Sequence, residues 1–222
     1  MKNAKLIRNL LFVLSLMIIP MVAGAQDIAL PAPVKKGGKP LMDALNERQS
    51  IREFTSVDLT LQQLSDLLWA GSGINRQADL KRTAPSSRNM QEIDVYVSLR
   101  SGLYLYDAAG NLLKQVHGRD IRALTGTQDF VGQAPLNIVY VADMAKLGKK
   151  EGDQITGQDL LSSWANTGFI AQNVYLYCAS ANLGCVVRGL VAREQLAPEM
   201  GLRSNQVIIL AQTVGVPAFR IQ

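Results

Sequence analysis

Residues 48–52 read Arg-Gln-Ser-Ile-Arg, and residues 84–91 read Ala-Pro-Ser-Ser-Arg-Asn-Met-Gln. The first stretch is rich in cations, the second in neutral hydroxyl and amide groups, and both interrupt an otherwise apolar chain. Arg48 and Arg52 lie four apart and flank Ser50. On a helix their guanidinium groups would share a face; in an extended segment residues 48, 50 and 52 would point the same way. Either geometry converges two cations and a hydroxyl on one spot, which suits a phosphate. A solvated turn with Glu47 and Glu53 as ion-pair partners is the alternative. Ser86, Ser87, Asn89 and Gln91 can all donate and accept hydrogen bonds, which matches a flat heteroaromatic edge. An ordinary polar loop would have the same composition.

The segments around these stretches set the fold class. Thr60-x-x-Gln63 has the spacing of a capping box. Leu61, Leu64, Leu67 and Leu68 continue it as one helical face, with Gly71 and Gly73 as the predicted end. Ile93, Val95, Val97 and Leu99 alternate strictly, which predicts a half-buried strand. Leu103–Tyr106 and Leu112–Val116, with Ala109-Gly110-Asn111 between them, predict a hairpin. Ile138–Val141 is a compact apolar run of the central-strand type, and Val207–Leu210 is another. The longest helical pattern spans 159–183 and carries Trp164, Phe169, Ile170, Val174, Tyr177 and Cys178; Gly184 is its predicted stop. Shorter helices are predicted at 41–46, at 120–124 and at 193–200, the last closed by Gly201. Gly71-Ser-Gly73 follows a helix and not a strand, so the dinucleotide-binding fingerprint is not met. Helices and strands interleave around a hairpin, which predicts an α+β domain with an antiparallel-dominated central sheet surrounded by helices.

Lys2, Lys5 and Arg8 precede an apolar run from Leu10 to Ile19, followed by Pro20 and Ala23-Gly24-Ala25. That order predicts a cleaved secretory signal peptide over 1–25, and hence a periplasmic or secreted protein. The run is too short to span a bilayer comfortably. Residues 26–40 hold three prolines and two glycines and predict a linker or wrapping arm; residues 41–222 are the predicted folded domain. Removal of the first 25 residues leaves 197 and lowers the formal charge from +5 to +2. The basic balance of the full chain is therefore poor ground for a nucleic-acid partner. Two cysteines, Cys178 and Cys185, make no disulfide framework and are expected as buried thiols. A single histidine, His117, leaves almost no material for a zinc site or a histidine-based triad, and no metal is expected.

Taken jointly, the segments resemble the FMN-dependent nitroreductase family. The resemblance rests first on Arg48-Gln-Ser-Ile-Arg52-x-Phe54, on the helix ending Leu-Leu-Trp69-Ala-Gly71, and on Pro85-Ser-Ser-x-Asn-x-Gln91. Residues 166–189 add the long central helix with the turn after it, and Leu210–Pro217 a final strand with Gly-x-Pro. It covers about 41–220. Trp69–Arg76 is similar to the subgroup that includes the dehydrogenases of azole-forming peptide synthetases. The resemblance implies that Arg48, Gln49 and Ser50 hold the FMN phosphate and ribityl chain, with Arg52 near flavin N1 and O2. It implies that Pro85, Ser86, Ser87 and Asn89 line the isoalloxazine, the first three from the other subunit. Gly184, Cys185 and Val186 would present backbone near N5, and Arg220 would be a lesser phosphate ligand. Asn89-x-Gln91 is followed by Glu92-Ile93, where the family commonly carries Pro-Trp, which implies a different substrate face. The chain ends at Gln222, which implies a short C-terminal arm.

The activity so implied is ping-pong transfer of hydride or electrons from a donor to a small organic acceptor such as a nitro compound or quinone. The flavin supplies the chemistry, so no side chain is assigned as catalytic; the protein orients and tunes the cofactor. A homodimer is implied, with the flavin between subunits. NAD(P)H is the usual donor, but export would remove the chain from that supply, and a membrane or redox-protein electron donor is the expectation in its place. The alternative is a non-catalytic flavin-binding or carrier protein on the same fold, motivated by the lack of a titratable residue suited to catalysis.

Overall fold

The computed structural model describes residues 26–219; the predicted signal peptide and Arg220 lie outside the described residues. Among the described residues, nine strands and five α-helices follow one another. In order they are β1 (Ile28–Ala29), α1 (Leu41–Glu47), α2 (Leu61–Ser72), β2 (Ile74–Arg76), β3 (Lys81–Arg82), β4 (Ile93–Leu99), β5 (Gly102–Asp107) and β6 (Leu112–His117). Then come α3 (Phe130–Gln133), β7 (Leu136–Asp143), α4 (Leu161–Ser180), β8 (Gly184–Arg188), α5 (Arg193–Glu199) and β9 (Gln206–Gly215). Seven strands form one sheet in the order β1-β6-β5-β4-β7-β9-β8, and every neighbouring pair is antiparallel. The predicted α+β class with a central antiparallel sheet is the observed one. Strands β2 and β3 make a separate small hairpin.

The sheet is covered on both faces. On one side α2 and α4 pack over Val95, Val97, Ile138, Tyr140 and Ile209. On the other, Leu196 and Met200 at α5 close over Tyr96, Val139, Val141 and Ile208. This second layer corrects the reading of β4. Its strict alternation predicts one wet face, yet Tyr96 and Ser98 are as buried as Val95 and Val97. Sequence alternation marks which face each residue takes, not whether a second layer covers it.

Helix α2 starts at the predicted capping box: the Thr60 side chain accepts from Gln63 N–H, and the Gln63 side chain accepts from Thr60 N–H. Its end lies at the predicted Gly73, which is the C-cap, but Gly71 is no part of the stop. The helix runs through Gly71 to Ser72, and a Cβ at Gly71 would come within 3.1 Å of Val174 on α4. Gly71 lets two helices approach; it does not stop one. Gly184 is corrected likewise. Helix α4 already ends at Ser180, with Asn182 in the left-handed region (φ 55°), and Gly184 opens strand β8. That strand, Gly184–Arg188, is absent from the sequence reading, which left these residues in a helix-terminal turn.

Residues 26–40 run along the domain surface. Ile28 and Ala29 pair with Leu113 and Leu112 at the sheet edge, Asp66 on α2 accepts from Val34 N–H, and Lys39 reaches Glu47, Ala179 O and Asn182 at the far end of α4. Replacing Gly71 by valine should overpack the α2–α4 contact and cost about 1–3 kcal/mol. A chemical denaturation midpoint equal to that of the unaltered protein would count against this close-approach account.

Candidate functional site

The arginine-rich segment leaves α1 and runs extended, between strand β8 and the last residues of the chain described. Ile51 N–H donates to Cys185 O, Thr55 N–H to Val216 O, and Ala218 N–H to Glu53 O. A Cβ at Gly184 would sit 2.9 Å from Ile51, so the glycine is what permits this close crossing. Ile51 is buried as the anchor, while Gln49, Ser50 and Arg52 are exposed.

Tyr175 of α4 organises the cation end. Val187 N–H donates to its hydroxyl oxygen at 2.9 Å, and that hydroxyl lies 2.8 Å from Ser50 Oγ. One hydroxyl thus joins β8 to Ser50, and either of the two O–H groups can be the donor between them. The Arg48 guanidinium rests over the Tyr175 ring, 5.4 Å from its centre. Glu47 pairs with Lys39 and not with Arg48, and among the described residues neither Arg48 nor Arg52 forms an ion pair. The solvated-turn alternative therefore lacks its partners. Arg48, Gln49, Ser50, Gly184, Cys185 and Val186 come together here. Arg52 turns elsewhere, into a cleft lined by Phe54, Asp129, Phe130 and Ala218. Cys178 and Cys185 are both free buried thiols beneath this cluster, and burial pushes the Cys178 thiol up.

The second segment forms a tight loop with three non-glycine residues in the left-handed region: Arg88 (φ 51°), Asn89 (φ 56°) and Gln91 (φ 50°). Such conformations cost roughly 1–2 kcal/mol each unless the surroundings hold them. Here they are held from behind. Gln91 N–H donates to Ser86 Oγ, and the Gln91 side chain donates to Leu80 O and Asn89 Oδ1 while accepting from Arg82 Nε. Ser87 N–H donates to Asn166 Oδ1 at 3.2 Å. The Ser87 amide is therefore turned inward. What the loop offers outward is the Ser86 hydroxyl proton, the exposed Ser87 hydroxyl, the Asn89 amide nitrogen and the Arg88 side chain. Glu92 and Ile93, whose departure from Pro-Trp implied a different substrate face, are both buried. Glu92 is wholly interior, and Ile93 lines a small cavity with Pro85, Ser86 and Asn166.

The two clusters do not meet within one chain. Asn166 and Tyr175 are nine residues apart on α4, which separates them by about 13 Å along the axis and about 180° around it. They occupy opposite flanks of the helix. Tyr175 and Asn166 are absent from the sequence reading; the signal that could have found them is this half-turn spacing of polar groups on a long, otherwise apolar helix.

The model of the nitroreductase family matches residues 45–216, a span that holds both clusters. The chain belongs to the nitroreductase family, a family of FMN-dependent oxidoreductases. A solved nitroreductase-type structure from Ralstonia eutropha JMP134 is 45% identical and superposes with a TM-score of 0.80, covering 87% of this chain and 90% of that one. A nitroreductase-type relative from Methanocaldococcus jannaschii is 26% identical over 180 residues, 77% of this chain and 88% of its own. A Desulfovibrio desulfuricans structure solved in complex with FMN is 21% identical at a TM-score of 0.57, over 82% of this chain and 89% of that one, a likeness of fold.

Replacing Tyr175 by phenylalanine removes the group that joins Ser50 to β8 and leaves the Val187 amide without its partner. The expected loss is about 1–3 kcal/mol of stability, together with weaker FMN binding. Parallel urea denaturation and flavin titration check both, and unchanged flavin binding would remove Tyr175 from the site.

Proposed function

We propose that the chain is an FMN oxidoreductase that works as a homodimer, each flavin lying between the Arg48–Ser50 cluster of one protomer and the Pro85–Asn89 loop of the other. The observation that carries this reading is the opposition of the two clusters across α4. Between them, the helix presents a stripe of exposed residues: Leu161, Trp164, Ala165, Gly168, Phe169 and Gln172. Trp164 and Phe169 are 43% and 46% exposed. A two-fold axis perpendicular to this stripe would set it antiparallel against its own copy. Centred near Gly168–Gln172, it would bring Asn166 of one protomer beside Tyr175 of its partner. Apolar side chains on a helix face of this kind favour burial.

The residues fit the cofactor's ends. The Arg48 cation, without an ion-pair partner among the described residues, and the exposed Ser50 hydroxyl suit a phosphate. The Ser86, Ser87 and Asn89 groups suit the hydrogen-bonding edge of the ring, and the backbone of β8 at Gly184–Val186 is close to the same phosphate end through Ile51 and Tyr175. Arg52, in its separate cleft, and Arg220 take secondary parts in this reading. When bound, FMN supplies a two-electron centre that a donor reduces and an acceptor oxidises in turn, the donor leaving before a nitro or quinone acceptor enters. The protein's own part is to fix the phosphate, hold the ring edge and shield the face from water.

The first 25 residues suggest export, and this sets the donor. A membrane-bound or redox-protein donor fits an exported enzyme better than NAD(P)H. Anaerobic mixing of FMN-loaded protein with NADH or NADPH tests it: slow, non-saturating bleaching is expected, and fast saturable bleaching would contradict the alternative donor. Turnover with quinones or nitroaromatics would exclude a mere flavin carrier. Replacing Arg48 by alanine should weaken FMN binding by ~1.5–3 kcal/mol, the worth of a charge-assisted contact. An unchanged dissociation constant would remove Arg48 from the phosphate site.

A further inference from the structure

Glu92 is fully buried, and among the described residues it has no cationic partner. A carboxyl group in the core is costly unless hydrogen bonds or a charge compensate it. Only one of its oxygens is compensated. Oε1 accepts from Ser163 Oγ at 3.0 Å and from Asn166 Nδ2 at 2.8 Å, while Oε2 is buried without a partner. An apolar side chain of the same size would fill this space at lower cost. The role of the carboxyl is therefore to be sought in what its one engaged oxygen holds.

That oxygen fixes an amide. With Nδ2 donating to Glu92, the Asn166 side chain turns Oδ1 to the loop, where it accepts from Ser87 N–H. The chain of contacts is directed: carboxyl oxygen, Asn166 amide, Ser87 backbone. The carboxyl oxygen's bond to the amide nitrogen polarises the amide and strengthens its oxygen as an acceptor. Ser163, the other donor to that oxygen, lies in the first turn of α4. Glu92 is also tied through its own backbone, since its carbonyl accepts from Asp143 N–H on β7. The sheet thus grips the loop through one buried side chain, at the residue directly after three left-handed positions.

We propose that Glu92 is a positioning residue for the flavin: acting through Asn166, it holds the strained Ser86–Gln91 loop in the shape that receives the ring edge. The proposal rests on the flavin reading above and adds to it a residue that never touches the cofactor. It explains why a carboxyl stands at a place with no access to ligand, and why the loop keeps backbone angles that its residues disfavour.

The test uses Glu92→Ala, Glu92→Gln, Asn166→Ala and the Glu92→Ala/Asn166→Ala pair in the full mature protein. Three readouts are needed: FMN dissociation constant, visible circular dichroism of the bound flavin, and melting temperature without flavin. Each alanine variant should weaken FMN binding roughly tenfold, the double variant hardly further, because the two act as one unit. Glu92→Gln, which retains an acceptor oxygen, should recover most of the affinity and the unaltered flavin spectrum. Glu92→Leu, which fills the space without an acceptor oxygen, takes the place of the alanine variants if those do not fold. A lower melting temperature with an FMN dissociation constant and flavin spectrum unchanged within twofold would overturn the proposal and leave Glu92 a purely structural group. Wild-type protein that binds no FMN would overturn the flavin reading itself, and this proposal with it.

Discussion

The site depends on the placement of two side chains about 180° apart on one helix. Asn166 and Tyr175 leave α4 on opposite flanks, and each carries a polar cluster that the rest of the domain builds up to it. The helix itself is fixed by its buried face against the sheet and by Gly71, which lets α2 come within contact of Val174. Any rotation of α4 would move both clusters at once and in opposite directions. This rigidity ties the fold to the cofactor geometry proposed, in which a single protomer would offer any one flavin only one of its two ends.

The polar groups at the two flanks are satisfied in a way that leaves selected atoms free. At Tyr175 one hydroxyl joins the Val187 amide to Ser50, whose side chain stays exposed. At the loop, the inward turn of Ser87 N–H and the bonding of Gln91 consume the groups that would otherwise compete for ligand. A similar logic governs Arg188, a buried guanidinium that bonds only neutral oxygens of Thr125, Asn137 and Thr213, and burial brings its pKa down to about 10. Gly126 makes room for that side chain, since a Cβ there would overlap it. Buried polar atoms are costly in proportion to what is left unmade, so the few that remain bare, Glu92 Oε2 among them, mark places where the sequence serves more than packing.

Much of the fold was legible in the chain. The capping box at Thr60, the β5–β6 hairpin, the apolar run of β7 and the long helix all follow from local periodicity and turn chemistry. Strand β8 was not, because Gly184–Arg188 is short, comes soon after a helix and pairs only with β9, a pairing that no local pattern announces. The double burial of β4 depends on α5, which is remote in sequence. Glycines misled for the same reason: Gly71 and Gly184 look like helix stops locally, whereas their use is set by Val174 and Ile51 across the fold. In the site, residue types were readable at Arg48, Ser50, Ser86, Ser87 and Asn89, since their chemistry is carried by the side chain. Tyr175, Asn166 and Glu92 were hidden inside apolar patterns, and only the packing reveals which atoms they hold.

The central claim is that each flavin draws its two ends from two different protomers. Subunit complementation measures this most directly. Arg48→Ala damages one cluster and Ser87→Glu the other, and each homodimer alone should bind FMN weakly. Refolded together in equal amounts, they should form mixed dimers in which one site has both intact halves, restoring tight binding at about a quarter of all sites. If the flavin were held within one protomer, every site would keep one defect, and no tight binding would return.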